Sequence, residues 1–273
     1  MSTTGTLERH ENFLSRFITP RHVDVWIPDR YLENTADRYP VIYMHDGQNV
    51  FDAAIAYGGS GWDIDKAITR LMDTETIRGA VVVGVWNTAL RWREYMPQKP
   101  YHTLPMRRHQ EAFLNTAGGE PVSDSYLKFI VEELKPFIDS KYRTLPQPPS
   151  TFVMGSSMGG LISLYAISEY PDIFGGAGCL STNWPVGQQE LVHEMAKQLP
   201  DPQTHKLYFD YGTEGLDALY EPYQQHMDEH LQQAGYVENE NWITQKFPGA
   251  NHSEKAWRER VEIPLSFLLS RMK

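Results

Sequence analysis

The segment Gly155-Ser156-Ser157-Met158-Gly159 decides the fold of this chain of 273 residues. It matches the G-x-S-x-G pattern, in which a serine lies at the apex of a sharp turn between a strand and a helix. The apolar stretch 150–154 before it is typical of a buried strand, and the helical spacing of apolar residues in 161–167 after it predicts a helix. These flanks favour a strand–turn–helix over an ordinary glycine- and serine-rich loop. Ser157 is therefore the candidate nucleophile.

The composition indicates a globular protein with a negative surface. Hydrophobic residues make up 41% of the chain, and the formal net charge is −10. That charge argues against nucleic acid or an anionic membrane as the main partner. Cys179 is the only cysteine, so no disulfide within the chain and no cysteine-based metal cluster is expected. The first residues lack the apolar core of a signal peptide and no run of about 18 apolar residues occurs. We therefore expect a cytoplasmic protein, unless a leader was removed.

Strand-like and helix-like segments alternate along the chain, which predicts a single doubly wound α/β domain over residues 1–273. The alternation of apolar and polar residues in 21–27 predicts an antiparallel strand near one edge of the sheet. Short apolar runs predict buried strands at 40–44, 80–85, 151–154, 176–180 and 206–210, and a further strand at 242–247. Amphipathic spacing predicts helices at 64–72, 126–138, 158–169, 190–198, 222–234 and 257–269, the last interrupted at Pro264.

Residues 88–121 do not follow this alternation. They show little apolar periodicity and are rich in proline, glycine, arginine and glutamine. They follow the C-terminal end of a predicted strand, which is the edge where open α/β sheets bind their ligands. We expect a lid or a substrate-binding loop here, and a disordered insert is the alternative.

A serine hydroxyl needs a base that takes its proton and a third group that orients the base. The candidate base is His252, because its turn-rich loop follows the last predicted strand and can reach over the sheet edge to Ser157. The acid is expected near the end of the preceding strand, where Asp210, Glu214 and Asp217 are candidates. Asp210 lies within the strand and is expected to pair locally. Spacing alone does not choose between Glu214 and Asp217.

Several further motifs occur together with the serine turn and in a fixed order. They are 41–52, 61–63, 83–87, 93–95, 133–143, 155–160, 211–214, 217–221 and 248–252. With them, the chain from about Phe17 onward resembles a bacterial esterase family of α/β-hydrolases. That family includes feruloyl and acetylxylan esterases, S-formylglutathione hydrolases, enterobactin-type siderophore esterases and mycolyltransferases. The resemblance implies an α/β-hydrolase fold, with a mostly parallel sheet flanked by helices, and a serine esterase that acts on a small ester without metal or organic cofactor.

The resemblance also implies roles for individual residues. In relatives the acid lies in a turn that a Leu-Tyr-like segment follows, which favours Asp217, although the longer turn here keeps Glu214 open. The amide after the nucleophile, that of Met158, is expected to form half of the oxyanion hole. The matching loop after the strand at 40–44 implies that the Gln48 amide forms the other half, with the neighbouring Gly47 as the alternative.

The substrate is the least determined property. Four tryptophans near the predicted C-terminal edge of the sheet favour an aromatic wall for a sugar or aryl group, with core packing as the alternative; they are Trp62, Trp86, Trp92 and Trp184. Four arginines suggest steering of an anionic substrate, with simple solvation as the alternative; they are Arg91, Arg93, Arg107 and Arg108. The aromatic residues favour acyl or feruloyl esters of carbohydrates. Siderophore lactones, thioesters, acyl transfer on the same serine and a catalytically silent binding module stay open, and the oligomeric state is not predicted.

Overall fold

The computed structural model describes residues 5–104 and 107–270, with only the backbone of 107 and 108, and these residues contain one mostly parallel sheet of eight strands. The strands are β1 (Thr6–Phe13), β2 (Arg21–Ile27), β3 (Val41–His45), β4 (Val81–Val85), β5 (Thr151–Ser156), β6 (Gly176–Leu180), β7 (Lys206–Glu214) and β8 (Trp242–Asn251). Their order is β1-β2-β4-β3-β5-β6-β7-β8. The pairs β1–β2 and β2–β4 are antiparallel and all other pairs are parallel. The predicted fold class is confirmed.

The central strands are buried on both faces, as their continuous apolar sequences predict. Every residue of β3, β4, β5 and β6 is buried. Side chains alternate between two core clusters along β3: Val41 and Tyr43 belong to one cluster, and Ile42 and Met44 to the other. Because the parallel strands share one direction, the loops that carry the candidate site residues emerge at one edge of the sheet.

Helices cover both faces of the sheet, and each of the six segments predicted as helical overlaps at least one of them. Their bounds are α1 (Asp29–Glu33), α2 (Ile64–Asp73), α3 (Arg91–Tyr95), α4 (Gln98–Thr103), α5 (Arg107–Ala117), α6 (Ser123–Lys128), α7 (Lys135–Lys141), α8 (Met158–Glu169), α9 (Gln188–Ala196), α10 (Glu221–Gln233), α11 (Glu254–Arg258) and α12 (Glu262–Leu269). A π-helical turn, Phe129–Leu134, joins α6 to α7. The predicted final helix is divided at 259–261, just before Pro264. None of the helices within the described ranges is both long and apolar enough to cross a membrane.

The edge strand β1 was not predicted from the sequence. Its residues are mostly exposed, so that it lacks the apolar alternation by which strands are recognised. It pairs with β2, and Arg9 Nε lies 2.7 Å from Asp24 Oδ1. This strand is therefore specified by its neighbour more than by its own hydrophobic pattern.

The segment 88–121 contains three helices, α3, α4 and α5, where the sequence predicted a loop. Buried side chains, among them Tyr95, Tyr101 and Phe113, attach these helices to the larger core cluster. Two of the helices are short, at 5 and 6 residues, so no apolar repeat of helical period can develop along them. A lid function for this segment stays a prediction.

Candidate active site

The backbone of Ser157 has the strained conformation that a nucleophile at a sharp turn requires. Its φ and ψ angles are 58° and −120°, a region that non-glycine residues rarely occupy. It lies directly between the end of β5 and the start of α8. A Cβ atom added to Gly155 would lie 2.9 Å from the backbone oxygen of Gly159, so glycine is needed for this close approach of strand and helix. The predicted strand–turn–helix geometry is present.

Backbone hydrogen bonds hold the turn from the neighbouring strand β6. The Ser157 amide donates to the Leu180 carbonyl at 2.9 Å, and the Asn183 amide donates to the Ser157 carbonyl at 3.1 Å. The side chain of Ser157 is half-buried. The serine is thus fixed at the C-terminal edge of the sheet between β5 and β6.

The two amides predicted for an oxyanion hole lie in first turns of helical segments, where backbone N–H groups lack partners within the helix. Met158 is the first residue of α8, and Gln48 is the middle residue of a 3₁₀ turn, Gly47–Asn49. A Cβ atom added to Gly47 would lie 2.4 Å from the backbone of Gly84, so this turn also requires glycine. The turn packs against the first turn of α8, since a Cβ atom at Gly159 would lie 3.5 Å from Asp46 Oδ2.

A partly buried ion pair holds the loop that carries Gln48. Arg91 donates through Nε and Nη2 to the two carboxylate oxygens of Asp46, each at 2.7 Å, and Asn87 Nδ2 donates to Oδ1 at 2.5 Å. Burial opposes ionisation of Asp46, but the charge and hydrogen bonds of Arg91 outweigh it and lower the pKa of that carboxyl. Asn87 also anchors Gln48, whose Oε1 accepts from the Asn87 amide at 3.2 Å. Arg91 is therefore engaged with Asp46 and positions the loop.

His252 and Asp217 form a close pair. His252 Nδ1 lies 2.5 Å from Asp217 Oδ1, with the histidine side chain 18% exposed and the aspartate fully buried. Asp217 Oδ2 accepts from the Gly212 amide at 2.8 Å and from Ser181 Oγ at 2.7 Å. Burial opposes ionisation of Asp217, but hydrogen bonds from His252 and Ser181 outweigh it and lower the pKa of this carboxyl. Glu214 is exposed at the end of β7, so Asp217 is the acid that contacts His252.

Two aromatic side chains flank the His252 ring. Tyr220 meets it edge-on with a centroid distance of 5.6 Å, and Trp257 does so at 4.9 Å. The Tyr220 hydroxyl is buried and has no hydrogen-bond partner among the described residues. The imidazole ring of His252 therefore packs against two aromatic rings. Neither aromatic residue was singled out as a site residue from the sequence.

A second buried hydrogen-bond network is centred on Ser181, which binds Asp217. Ser181 Oγ, which donates to Asp217, accepts from Trp257 Nε1 at 2.9 Å and from Arg260 Nη2 at 3.0 Å. Arg260 Nη2 also lies 2.8 Å from Asp210 Oδ1, which makes Asp210 a member of a buried ion pair. Trp257 lies in α11 and Arg260 lies in the turn between α11 and α12, and neither was singled out as a site residue from the sequence.

Two tryptophans expected in a substrate wall are buried. Trp184 is 0% exposed, and its Nε1 donates to Gln224 Oε1 at 3.0 Å. Trp62 is 4% exposed and packs against Trp257 with a ring-centroid distance of 5.6 Å. Both tryptophans therefore pack in the core, which was the alternative given for these residues. Neither ring presents an open face to a substrate, because the surrounding apolar side chains cover it.

Arg93 connects the two ends of the segment 88–121. Its Nε donates to the Glu120 carbonyl at 2.7 Å, and its own carbonyl accepts from the Val122 amide at 2.8 Å. A substrate contact through Arg93 stays a prediction. The side chains of Arg107 and Arg108 lie outside the described part of the chain.

The model of the esterase family described as "Putative esterase" matches residues 15–262. The chain belongs to this family. It is 24% identical over 211 residues to the uncharacterised protein YbbA of Bacillus subtilis, across 77% of this chain and 72% of the relative. An IroE-like serine hydrolase from Shewanella oneidensis has a similar structure, with a TM-score of 0.70, 19% identity, and coverage of 97% of this chain and 79% of that one. A ferulic acid esterase also has a TM-score of 0.70, with 16% identity and coverage of 97% and 98%.

These similarities establish the fold and the class of reaction. The structural neighbours share the α/β-hydrolase architecture of the eight-stranded sheet. Membership of the esterase family makes the chain a carboxylic ester hydrolase of the serine type, as the resemblance in its sequence implied.

Proposed function

We propose that Ser157, His252 and Asp217 form the catalytic triad of this esterase. The observation that carries the proposal is the contact of His252 Nδ1 with Oδ1 of the buried Asp217, 2.5 Å apart, at the same sheet edge as the strained Ser157 turn. A buried carboxylate on Nδ1 leaves the other ring nitrogen, Nε2, to act as the base. The lowered pKa of Asp217 keeps that carboxylate ionised, so that it stabilises the imidazolium formed during the reaction.

In the proposed mechanism, Ser157 Oγ attacks the ester carbonyl while His252 Nε2 takes the hydroxyl proton. The amides of Met158 and Gln48 donate hydrogen bonds to the carbonyl oxygen as it becomes negative. His252 then gives its proton to the departing alcohol oxygen, which leaves an acyl-enzyme on Ser157. A water molecule, deprotonated by His252, attacks the acyl carbon and releases the acid. The hydrogen bond from Ser157 Oγ to His252 Nε2 is part of this proposal. Catalytic hydrogen bonds of this kind are often long in the free enzyme and tighten when the substrate binds.

We propose small carboxylic esters as substrates, with acyl or feruloyl esters of carbohydrates as the first class to test. The support is the similarity of the fold to a ferulic acid esterase over nearly the whole of both chains. The buried positions of Trp62 and Trp184 add no support, because neither ring is open to a sugar.

The triad is tested with Ser157→Ala and a fluorophosphonate probe, which reacts with an activated serine. We expect the wild-type protein to be labelled at Ser157 and to hydrolyse p-nitrophenyl acetate. The variant should lose turnover by about 10⁴- to 10⁶-fold, as removal of a serine nucleophile does. Ser156→Ala is the matched control, because it removes the adjacent buried hydroxyl and should keep both labelling and turnover. A Ser157→Ala protein with most of its activity, or a wild-type protein without labelling, would contradict the proposal.

The substrate is tested with a panel of esters of different classes. The panel contains methyl ferulate, an acetylated xylo-oligosaccharide, S-formylglutathione, a catecholate trilactone and p-nitrophenyl esters of increasing chain length. Selective turnover of methyl ferulate or the acetylated oligosaccharide is expected. Preference for the thioester or the trilactone would contradict the carbohydrate-ester assignment, and an acylated product in the presence of an added alcohol would identify an acyltransferase.

A further inference from the structure

Asn49 is the last residue of the 3₁₀ turn that carries Gln48, and its polar groups fasten this turn to its surroundings. The Asn49 amide donates to the Asp46 carbonyl at 2.8 Å, and the Asn49 carbonyl accepts from the Trp62 amide at 2.8 Å. Its side-chain Oδ1 accepts from the Tyr57 amide at 2.9 Å. The residue is only 8% exposed. Asn49 therefore holds the turn against the loop that follows it.

The remaining polar group of Asn49 contacts the segment that carries the proposed base. Asn49 Nδ2 donates to Glu254 Oε1 at 3.3 Å, and Glu254 is the second residue after His252. The orientation of the Asn49 amide is fixed, because the Tyr57 N–H can donate only to its oxygen and leaves the –NH₂ group to the carboxylate. Asn49 and Glu254 are 205 residues apart in the sequence, so this contact exists only in the folded chain.

An aromatic contact accompanies this hydrogen bond. Trp62, whose amide donates to Asn49, packs against Trp257 of α11 with a ring-centroid distance of 5.6 Å. Trp257 also meets the His252 ring edge-on, and Glu254 is the first residue of α11. The segment that follows the 3₁₀ turn therefore packs against the segment that follows the base, and the Asn49–Glu254 hydrogen bond is a polar contact between the two.

We propose that Asn49 and Glu254 are positioning residues, which hold the Gln48 amide in place relative to His252. The inference rests on the proposed function. In that mechanism the base takes the proton of the attacking hydroxyl while the amide stabilises the oxyanion, so the two groups must be placed correctly at the same moment. They lie on segments distant in sequence, and contacts between these segments set their relative position. A displaced amide stabilises the transition state less and affects binding of the uncharged ester little.

The test reverses the polarity of the hydrogen bond. Asn49→Asp keeps the oxygen that accepts from Tyr57 but places an acceptor opposite Glu254, so the bond is lost. Adding Glu254→Gln supplies a donor from the other side, which restores the bond and returns the formal charge of the protein to the wild-type value. Glu254→Gln alone keeps an acceptor for Asn49 Nδ2 and removes only the charge. Glu254→Ala breaks the bond from a partly exposed side chain.

We expect Asn49→Asp and Glu254→Ala each to lower kcat about 10-fold. The rate constant of fluorophosphonate labelling at Ser157 should fall by a similar factor, because that reaction also places an oxygen in the oxyanion hole. KM should stay within about twofold of the wild-type value. The double variant should recover to within about threefold of wild type. Such recovery distinguishes a positioning hydrogen bond from a general structural role of either residue.

Asn241→Asp is the matched control, because Asn241 has the same pattern of hydrogen bonds far from the site. Its Oδ1 accepts from the Val237 amide at 2.8 Å, and its Nδ2 donates to the Pro202 carbonyl at 2.8 Å. It directly precedes β8, whereas His252 follows the other end of that strand. Asn241→Asp should lower Tm, as Asn49→Asp does, and should keep kcat and the labelling rate.

Each other result overturns a defined part of the argument. Labelling and kcat within about twofold of wild type in Asn49→Asp and Glu254→Ala would overturn the positioning role and leave the triad intact. A double variant as slow as Asn49→Asp would show that the hydrogen bond is not responsible. A loss in Glu254→Gln alone would assign the effect to the charge of Glu254.

Two further outcomes separate this inference from the proposed function. A raised KM with unchanged kcat in Asn49→Asp would assign Asn49 to substrate binding and overturn its positioning role. A wild-type protein that is not labelled at Ser157 would overturn the triad, and the role of Asn49 and Glu254 with it.

Discussion

Asp210 and Asp217 are two buried aspartates, one on strand β7 and one in the turn that follows it. Both are at most 1% exposed, and both bind Ser181. The Ser181 amide donates to Asp210 Oδ1 at 3.2 Å, and its hydroxyl donates to Asp217 Oδ2 at 2.7 Å. The two carboxylates therefore share a residue type, a depth in the protein and one hydrogen-bonding neighbour.

They differ in their main partner. Asp210 pairs with the guanidinium group of Arg260, whereas Asp217 pairs with the imidazole ring of His252, the proposed base. Burial raises the pKa of Asp210 even against the charge of Arg260. Burial also acts to raise the pKa of Asp217, but the hydrogen bonds from His252 and Ser181 outweigh burial and lower this pKa. In the proposed triad, the chemical role of a buried carboxylate therefore depends on the side chain that it binds.

The largest expected effect is that of Asp217→Asn on turnover. The asparagine amide cannot hold His252 with a proton on Nδ1, so the base is presented in the wrong tautomer. We expect kcat to fall about 10³- to 10⁴-fold with the fold retained, as measured with a p-nitrophenyl ester and by circular dichroism.

Glu214→Gln is the matched control for Asp217→Asn, because Glu214 was the other acid that the sequence left open. This exposed side chain should be replaceable with less than about a twofold change in kcat. If Glu214→Gln lost activity while Asp217→Asn kept it, the assignment of the two acids would be reversed.

At Asp210 the expected effect is on stability. Arg260→Met keeps much of the side-chain volume but leaves Asp210 buried without its cation. We expect the free energy of unfolding at pH 7 to fall by about 3–5 kcal/mol, as when one partner of a buried ion pair is removed. Urea denaturation measures this loss. Arg258→Met, on the preceding helix, removes only a partly exposed pair with Asp63 and should cost less than about 1 kcal/mol. Equal losses in the two variants would contradict a special role of the buried pair.

Most of the fold was predictable from the sequence because the signals were local. The strand predicted at 176–180 and the helix predicted at 158–169 have the observed bounds, since apolar runs and helical spacing are properties of consecutive residues. Strand β1 and the helices of 88–121 were not predicted, because their sequences lack such local signals. Their positions depend on contacts with distant parts of the chain, such as Arg9 with Asp24.

The site was predictable only where a motif carries its own geometry. The turn around Ser157 follows from its glycines. The resemblance favoured Asp217 over Glu214, and the structure shows that Asp217 is the acid in contact with His252. Ser181 gave no signal, because its role depends on Asp217, 36 residues further along the chain. Tyr220 stood in a family-like segment, but only the fold places its ring against that of His252.

A smaller effect is expected for Ser181→Ala, which removes the hydroxyl shared by the two halves of the network. Asp217 would lose one donor, and Trp257 Nε1 and Arg260 Nη2 would lose an acceptor. We expect kcat to fall about 10-fold with KM unchanged, and the free energy of unfolding to fall by about 1–3 kcal/mol.

Ser163→Ala is the control for Ser181→Ala, because it removes a buried hydroxyl that donates to the Gly159 carbonyl and does not bind Asp217. It should lower stability with less effect on kcat. If both variants reduced kcat equally, the hydroxyl of Ser181 would have no specific effect on Asp217.

The smallest effect, and the most direct test of the contrast between the two aspartates, is the pH dependence of stability. The folded pKa of Asp217 is lowered, so its contribution is present above the ordinary aspartate pKa of about 3.9 and is lost as the pH falls through the folded value. The folded pKa of Asp210 is raised, so its contribution is present below about 3.9 and is lost as the pH rises through the folded value. As the pH falls, the stability advantage of the wild type should therefore shrink against Asp217→Asn and grow against Asp210→Asn. Denaturant unfolding at a series of pH values measures both differences. Parallel curves for the two variants would mean that their partners do not distinguish the two carboxylates.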